Sequence, residues 1–418
     1  MPRQSLLDYL SEYAKQGREA AIVQRSGYRA ARYSYRDISF LAAQCARQFE
    51  RQGIGPGDRV VLWGRSSAEW VAAFFGCILR GAVAVLMDQG ASPDFAHRVA
   101  QEVDAKLLLA DRGRPALGER RPVMLLDTLK EDVAGHSVEH YASPALSRSS
   151  IAQIIFTSGA TATPKGVVIS HGNILANLEP IEAGVKTYLK WERFVHPLRF
   201  LDLVPVSHVF GQFMGVWIPP LVGGCVYFQE SLNPTEIIST IRQERISVLV
   251  SVPRVLEALQ GKIERDIDEA GLLEEFRRDF EFAAYEKIPR RMWRFRKIHR
   301  QFGWKFWAVI SGGATLSPAA ERFWDRTGFA AIQGYGLTET TSLVSVNHPF
   351  RIGRGSIGKV LPGRDVKLDE HGEILVRGEN IAAGYWEDNQ IFDVAKSGTD
   401  AGWFRTGDLG TLDAEGNL

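Results

Sequence analysis

The chain has 418 residues, 45% of them hydrophobic, with 50 Lys plus Arg against 49 Asp plus Glu. That length accommodates one large domain or a few smaller ones, and the near-zero charge balance removes any global argument for attraction to nucleic acid or an anionic membrane. Three scattered cysteines, Cys45, Cys77 and Cys225, exclude a disulfide framework or a zinc-ligand spacing. No apolar run is long enough for a bilayer-spanning helix, and Met1–Ser5 lacks an apolar signal core, so a reducing, cytoplasmic setting is expected.

In chain order, an amphipathic opening stretch leads to a hairpin around Ser26-Gly27. Ser34, with Asp37 three residues on, predicts a helix cap. Ile38, Leu41, Ala42, Cys45 and Phe49 then fall at helical spacing, up to Gly53. Val60–Trp63 reads as a strand, Ser66 or Ser67 as the cap of a helix running to Arg80, and Ala82–Leu86 as the next strand. Strand, helix, strand at this length predicts a parallel βαβ unit. Lys106–Ala110 and Val123–Asp127 continue the alternation. Residues 128–150 read as a polar connection, and Ile151–Phe156 as a buried strand.

Thr157-Ser158-Gly159-Ala160-Thr161-Ala162-Thr163-Pro164-Lys165-Gly166 follows, before the strand-like run Val167–His171. A loop so dense in hydroxyls, backbone amides and one lysine can wrap polyphosphate. It is not a Walker A loop, because Pro164 precedes the lysine and no helix opens after Gly166. Beyond it, a helix begins at Gly172-Asn173. Leu201–Pro205, Leu221–Phe228 and Val248–Val252 read as strands, with a helix over Pro234–Arg245. Residues 261–305 are helical and charged. Their run Arg290–Arg300 interleaves basic and aromatic residues, yet Ile288, Met292, Phe295, His299 and Phe302 share one helical face, which predicts a solvated amphipathic helix. Phe306–Ile310 is a strand, Ser317–Arg326 a helix, and residues 345–418 are rich in turns and short strands, with a hairpin tip at Asp369–Gly372.

Two later stretches, Gly334-Tyr335-Gly336-Leu337-Thr338-Glu339-Thr340 and Trp403-Phe404-Arg405-Thr406-Gly407-Asp408, change the weight of the hydroxyl-rich loop. Taken alone, Tyr335 is an ordinary core aromatic, Glu339 a helix N-terminal carboxylate and Asp408 a turn residue. Together, in this order and covering nearly the whole chain, the stretches resemble the adenylate-forming superfamily: acyl-CoA synthetases, luciferases and peptide-synthetase adenylation domains. The resemblance implies two packed α/β subdomains with mixed sheets, layered αβαβα, plus a smaller distorted β-barrel. It divides the chain into 1–60 with 195–344, 61–194, and 345–418.

By the same resemblance, ATP and Mg²⁺ are implied, with CoA as co-substrate of the full-length enzyme. Thr157, Ser158, Gly159, Thr161, Thr163 and Lys165 would wrap the β- and γ-phosphates, and Thr338 would contact the α-phosphate. Glu339 would hold Mg²⁺, which favours carboxylate, water and phosphate oxygens. Tyr335 would stack on adenine, with Gly312, Gly313, Ala314, Gly334 and Gly336 admitting the nucleotide closely and Gln333 bonding the exocyclic amine. Asp408 would accept both ribose hydroxyls. His208 would sit near the acid's carboxylate; Val209, Phe210, Met214, Trp217 and Gly336 would line an apolar acyl pocket.

That pocket carries no aspartate for an α-amino group, so a fatty or other lipophilic acid is expected rather than an amino acid. A fatty acyl-AMP ligase loading an acyl carrier protein, an aryl-CoA ligase and a nucleotide-binding scaffold without turnover are the other readings. The charged insert resembles that of long-chain acyl-CoA synthetases, which implies peripheral contact with a membrane; no nucleic-acid partner is expected. Two departures stand out. Ala162 replaces a customary glycine, and the segment ending at Leu418 lacks the family's lid with its catalytic lysine, so a large N-terminal core is expected.

Overall fold

The structure, a computed structural model, describes residues 3–26, 29–114, 121–157, 165–186, 196–348, 355–394 and 402–418. Among these, two large mixed sheets are stacked with helices between and outside them. The first sheet runs, edge to edge, Lys359–Val360, Ser345–Val346, Ala330–Tyr335, Ala308–Ser311, Val248–Ser251, Arg199–Asp202, Cys225–Phe228, Ala20–Ser26 and Arg29–Ser34. The second runs Gln390–Phe392, Gly384–Glu387, Lys165–Ser170, Ile151–Thr157, Val83–Met87, Arg59–Trp63, Leu107–Ala110 and Val123–Leu125.

The apolar clusters reveal the layering. Alternate residues of a strand face opposite sides. Ile22, Val226 and Phe228 of the first sheet and Val60, Leu62, Ala84 and Leu86 of the second share one core with helices Tyr35–Arg51 and Ala68–Arg80. Val23, Leu201 and Leu249 turn the other way, against helices Pro234–Gln243, Pro253–Glu269 and Pro318–Arg326. Val61, Val85 and Leu108 pack on Pro93–Glu102. The order is therefore helix, sheet, helix, sheet, helix. Strands of segment 345–418 serve all three sheets: Arg364–Leu368, Glu373–Gly378 and Phe404–Leu409 form a small antiparallel sheet, and the rest extend the two large ones.

Local chemistry explains several boundaries. Ser34 and Asp37 form a reciprocal capping box, and Ser67 accepts from the Trp70 amide at 3.0 Å. Arg59–Trp63 and Val83–Met87 pair in parallel across helix Ala68–Arg80, which ends at Gly81 in the left-handed region at φ 72°.

Three expectations need correction. The strand expected over Leu201–Pro205 is Arg199–Asp202, because the Asp202 carboxyl accepts from the Val204 amide at 3.0 Å and turns the chain before Pro205. The run Leu221–Phe228 splits: Ile218–Leu221 is helical, Gly223 turns at φ 56°, and only Cys225–Phe228 is strand. Residues 288–302 are two short helices meeting at Phe295 rather than one amphipathic helix. The bend sends Phe295, Ile298 and Phe302 inward while Ile288 and Met292 stay at the rim, and it buries Arg291 against Asp325 at 2.8 Å.

His171 joins the opening helix Leu6–Lys15 to the second sheet: the Leu6 amide donates to its Nδ1 at 3.1 Å. Burial pushes its imidazole down to about 4, so the folded ring is neutral where the unfolded one is charged. Stability from this group is complete above its ordinary value of about 6.5 and is lost as pH falls from there toward the folded value, by about 3 kcal/mol in all. Thermal unfolding should show that slope in the wild type. His171→Asn, whose amide oxygen can accept from Leu6, should flatten it; an unchanged slope would assign the acid sensitivity elsewhere.

Candidate active site

The hydroxyl-rich loop joins two strands of the second sheet, Ile151–Thr157 and Lys165–Ser170, which pair antiparallel with Thr157 opposite Lys165. Ser158, Gly159, Thr161, Ala162 and Thr163 lie outside the described residues, as does the Thr157 side chain; Lys165 is exposed at the mouth of the hairpin.

On the other sheet, Ala308–Ser311 and Ala330–Tyr335 are adjacent parallel strands with Ser311 opposite Gln333. The loops carrying Gly312–Ala314 and Gly336–Glu339 therefore leave the same carboxyl-terminal edge, where open α/β sheets place their ligands. Gly313, at φ 80°, and Ala314 are exposed, while Gln333 is buried. Gly334 is half-buried at the strand's end.

Tyr335 and Asp408, 73 residues apart, meet here: the tyrosine hydroxyl donates to Asp408 Oδ2 at 2.7 Å. Burial, with the Asp408 carboxylate adding to it, pushes the Tyr335 hydroxyl up, so it stays a donor. Asp408 in turn sits in the strand Phe404–Leu409, next to Thr406, whose hydroxyl donates to the Ile374 carbonyl at 2.8 Å.

Thr338 and Glu339 occupy a single 3-10 turn, Thr338–Thr340, closed by the Leu337 amide donating to Thr340 Oγ1 at 2.8 Å. Glu339 Oε1 accepts from Tyr385 at 2.9 Å. Tyr385 lies on Gly384–Glu387, the strand paired with Lys165–Ser170, directly opposite Val167. Glu339 thus reaches across to the strand flanking the hydroxyl-rich hairpin. Burial and the adjacent Glu339 push the Tyr385 hydroxyl up as well, fixing it as the donor. Among the described residues no group of three or more His, Cys, Asp or Glu could hold a metal by itself. A lone carboxylate held by Tyr385 is nevertheless compatible with Mg²⁺, which takes one or two carboxylates and fills its shell with phosphate and water.

His208 ends the turn after Arg199–Asp202 and its Nε2 lies 3.0 Å from Asp88 Oδ2. The hydrogen bond with His208 is the main cause holding the Asp88 carboxyl below its ordinary value. Beyond His208 the expected acyl-pocket residues divide between two environments. Phe210 and Met214 pack with Ala330 and Ile332 on the inner face of the first sheet, and the Phe210 ring lies against Gly312, within 2.9–3.0 Å of where a Cβ would stand. Val209 and Trp217 face the core between the sheets instead. Trp217 is fully buried with its ring 5.2 Å from Tyr9 and 5.8 Å from both Phe74 and Phe75. The structure therefore does not bring Trp217 together with Phe210. Beside the His208 turn lies a cavity of about 250 Å³ lined in part by Gln89, Asp202, Pro205 and Val252. Burial pushes the Asp202 carboxyl well above its ordinary range.

Asp88 and Tyr385 were not among the residues the motifs pointed to. Asp88 follows the carboxyl end of Val83–Met87, a position that fold topology flags once the strand is known to be parallel. Tyr385 has no such signal, because its strand joins a sheet formed more than 200 residues earlier in the chain.

A family profile described as "AMP-binding enzyme" matches residues 10–386. A long-chain-fatty-acid–CoA ligase of Mycobacterium bovis is 29% identical over 405 residues, which covers 88% of this chain and 65% of that one. A feruloyl-CoA synthase of an Amycolatopsis species is 27% identical over 417 residues, covering 92% and 72% respectively. The crystal structure of the N-terminal domain of FACL13 from Mycobacterium tuberculosis superposes with a TM-score of 0.76 at 21% identity, covering 100% of this chain and 99% of that domain. The chain thus spans about two thirds of the length of the Mycobacterium bovis relative.

Proposed function

Because the chain belongs to the AMP-binding enzyme family, we propose that it is the core of an enzyme that activates a carboxylic acid with ATP, forming an acyl adenylate and pyrophosphate, and that in the full-length enzyme the acyl group then passes to the thiol of CoA, the core alone turning over poorly. The observation that carries this reading is the pairing of Tyr335 with Asp408 and of Glu339 with Tyr385 around one strand edge. Two phosphate-bearing or carboxylate anions must approach each other in such a reaction, and the protein contributes position and charge rather than a covalent partner.

In this reading the Tyr335 ring offers its apolar face to adenine while its hydroxyl stays tethered to Asp408. The remaining lone pairs of Asp408 accept from the ribose. Lys165, with the amides and hydroxyls of 157–164, holds the leaving phosphates, and Thr338 donates to the α-phosphate. Mg²⁺ supplies neutralisation of phosphate charge, and Glu339 would hold it, with Tyr385 restricting that carboxylate to one orientation. His208, steadied by Asp88, stands near the entering carboxylate.

The finer reading is a fatty or other lipophilic acid lying along Phe210 and Met214. Peripheral contact with a membrane is supported by Trp293 and Trp304, 71% and 78% exposed with Arg296 and Lys305 over their rings, and by Tyr285, 93% exposed. ATP–pyrophosphate exchange by the full-length enzyme, lid included, with a panel of acids tests the reading: fatty acids should support exchange best, and no exchange with any acid would refute it. Glu339→Gln should lower exchange most at limiting Mg²⁺ without unfolding the protein. A wild-type rate at limiting Mg²⁺ would remove Glu339 as the ligand.

A further inference from the structure

The turn that carries Glu339 is anchored from behind by a buried cation. Arg364 opens the strand Arg364–Leu368 and is 8% exposed. Its NH1 donates to Asn177 Oδ1 at 2.5 Å and to the Leu343 carbonyl, and its NH2 donates to the Ala176 carbonyl at 2.8 Å. These three oxygens are all neutral. A guanidinium taken out of water without an anion is costly, and burial pushes Arg364 down to about 10. If packing alone mattered, an apolar residue would serve this position better.

Asn177 passes the contact on. It is fully buried in helix His171–Lys186, which follows the hydroxyl-rich hairpin. With its oxygen taken by Arg364, its Nδ2 donates to the Thr340 carbonyl at 3.3 Å and to the Thr341 carbonyl. The backbone there needs holding. Thr341 and Ser342 are consecutive non-glycine residues in the left-handed region, at φ 52° and 89°. Such strain persists only where surrounding contacts over-determine it. Two further contacts reach the turn: the Ala382 amide donates to the Glu339 carbonyl at 2.7 Å, and Asn380 Nδ2 to the Thr340 carbonyl at 3.4 Å. Arg364 fixes the amide orientation of Asn177, because a flipped amide would turn its NH₂ toward the guanidinium and its oxygen toward two carbonyls.

We propose that Arg364 and Asn177 form a positioning relay that sets the Thr338–Ser342 turn, and through it the direction of the Glu339 carboxylate. The relay ties three separate parts of the chain to one turn: the helix after the hairpin, the small sheet, and the Tyr335 motif. Its role in turnover rests on the adenylation reading above; its role in holding the turn does not.

Asn177→Asp separates the relay from simple packing. The new carboxylate gives Arg364 an anionic partner of the same shape, so the fold is retained. It cannot donate to Thr340 and Thr341, and it faces their carbonyls with negative charge. Expected are a melting temperature within about 3 °C of wild type, backbone amides of residues 337–343 exchanging with solvent about tenfold faster, and, in the full-length enzyme, an ATP–pyrophosphate exchange kcat about tenfold lower with the KM for the acid little changed. Should Asn177→Asp fail to fold, Arg364→Gln, which removes the buried charge but frees the Asn177 amide to rotate, is expected to move the same two readouts in the same direction. Unchanged turn amides in a folded variant overturn the relay, and faster amides with an unchanged kcat overturn its positioning role. If the full-length wild type supports no exchange with any acid, the adenylation reading fails separately, and amide exchange alone decides: faster turn amides uphold the relay and unchanged ones overturn it.

Discussion

Gly336→Ala is expected to cost the protein about 3 kcal/mol of stability and its affinity for ATP together. The cause is steric and local. A Cβ at Gly336 would overlap the Ser342 carbonyl oxygen, 2.6 Å from that carbonyl's carbon and 2.9 Å from the Leu343 amide nitrogen. All three atoms are backbone, in the strained segment that follows the Glu339 turn, so no rotamer change relieves the overlap. Relief requires the Tyr335 strand and the Ser342 segment to separate, which withdraws Tyr335 from Asp408 and shifts Glu339 from Tyr385. Gly312→Ala is the matched control. There the three atoms nearest the added methyl all belong to the Phe210 ring, at 2.9–3.0 Å, and a side chain can swing away. Thermal unfolding should show the stability loss for Gly336→Ala and less than half of it for Gly312→Ala, and calorimetric titration with ATP should show the accompanying fall in affinity for Gly336→Ala. Equal effects would mean that the two backbone segments do not cross this closely.

The Gly336 result shows where sequence reading reaches and where it stops. The glycine was legible as part of a motif, but its physical task, letting one backbone cross another, requires knowing where Ser342 lies. Local signals were the most readable. The Ser34–Asp37 capping box, the Ser67 cap and the parallel pair around Ala68–Arg80 depend on residues a few positions apart, and all are present. Apolar runs were less readable, because hydrophobicity says that a residue is buried and not on which side. The segment after His208 is apolar apart from Gln212, so Trp217 and Phe210 looked equivalent until the helical turn sent one among Tyr9, Phe74 and Phe75 and the other against Ala330, Ile332 and Gly312. The same ambiguity hid the bend at Phe295. Long-range polar pairs were the least readable. Tyr385 with Glu339, Asp88 with His208 and Arg364 with Asn177 join residues 46, 120 and 187 positions apart. No periodicity encodes such a pair; only the sheet order brings its members together.

Asp408→Asn should separate a nucleotide-site role from a fold role, with about a tenfold or greater loss of ATP affinity and almost no change in stability. The geometry sharpens the expectation. Asp408 Oδ2 already accepts from Tyr335 at 2.7 Å, and the backbone around it is held independently by its own amide donating to Thr406 Oγ1 at 3.1 Å. An asparagine keeps one oxygen, and the Tyr335 hydroxyl, which burial holds protonated, claims it. The other position becomes an NH₂ group, which cannot accept from a ribose hydroxyl. The local turn is indifferent to the change, since asparagine tolerates the same backbone and makes the same short-range bonds. Hydrogen bonds to a charged acceptor are worth about 1.5–3 kcal/mol each, so even one lost ribose contact accounts for the tenfold figure. The decisive comparison is ATP against 2′,3′-dideoxy-ATP. Wild type should prefer ATP strongly, and Asp408→Asn should lose most of that preference while melting within about 2 °C of wild type without nucleotide. If the wild type bound both nucleotides equally, Asp408 would be a partner of Tyr335 and nothing more. A large fall in melting temperature would instead make the Tyr335–Asp408 bond a clamp between the first sheet and the small antiparallel one, with the nucleotide held by other groups.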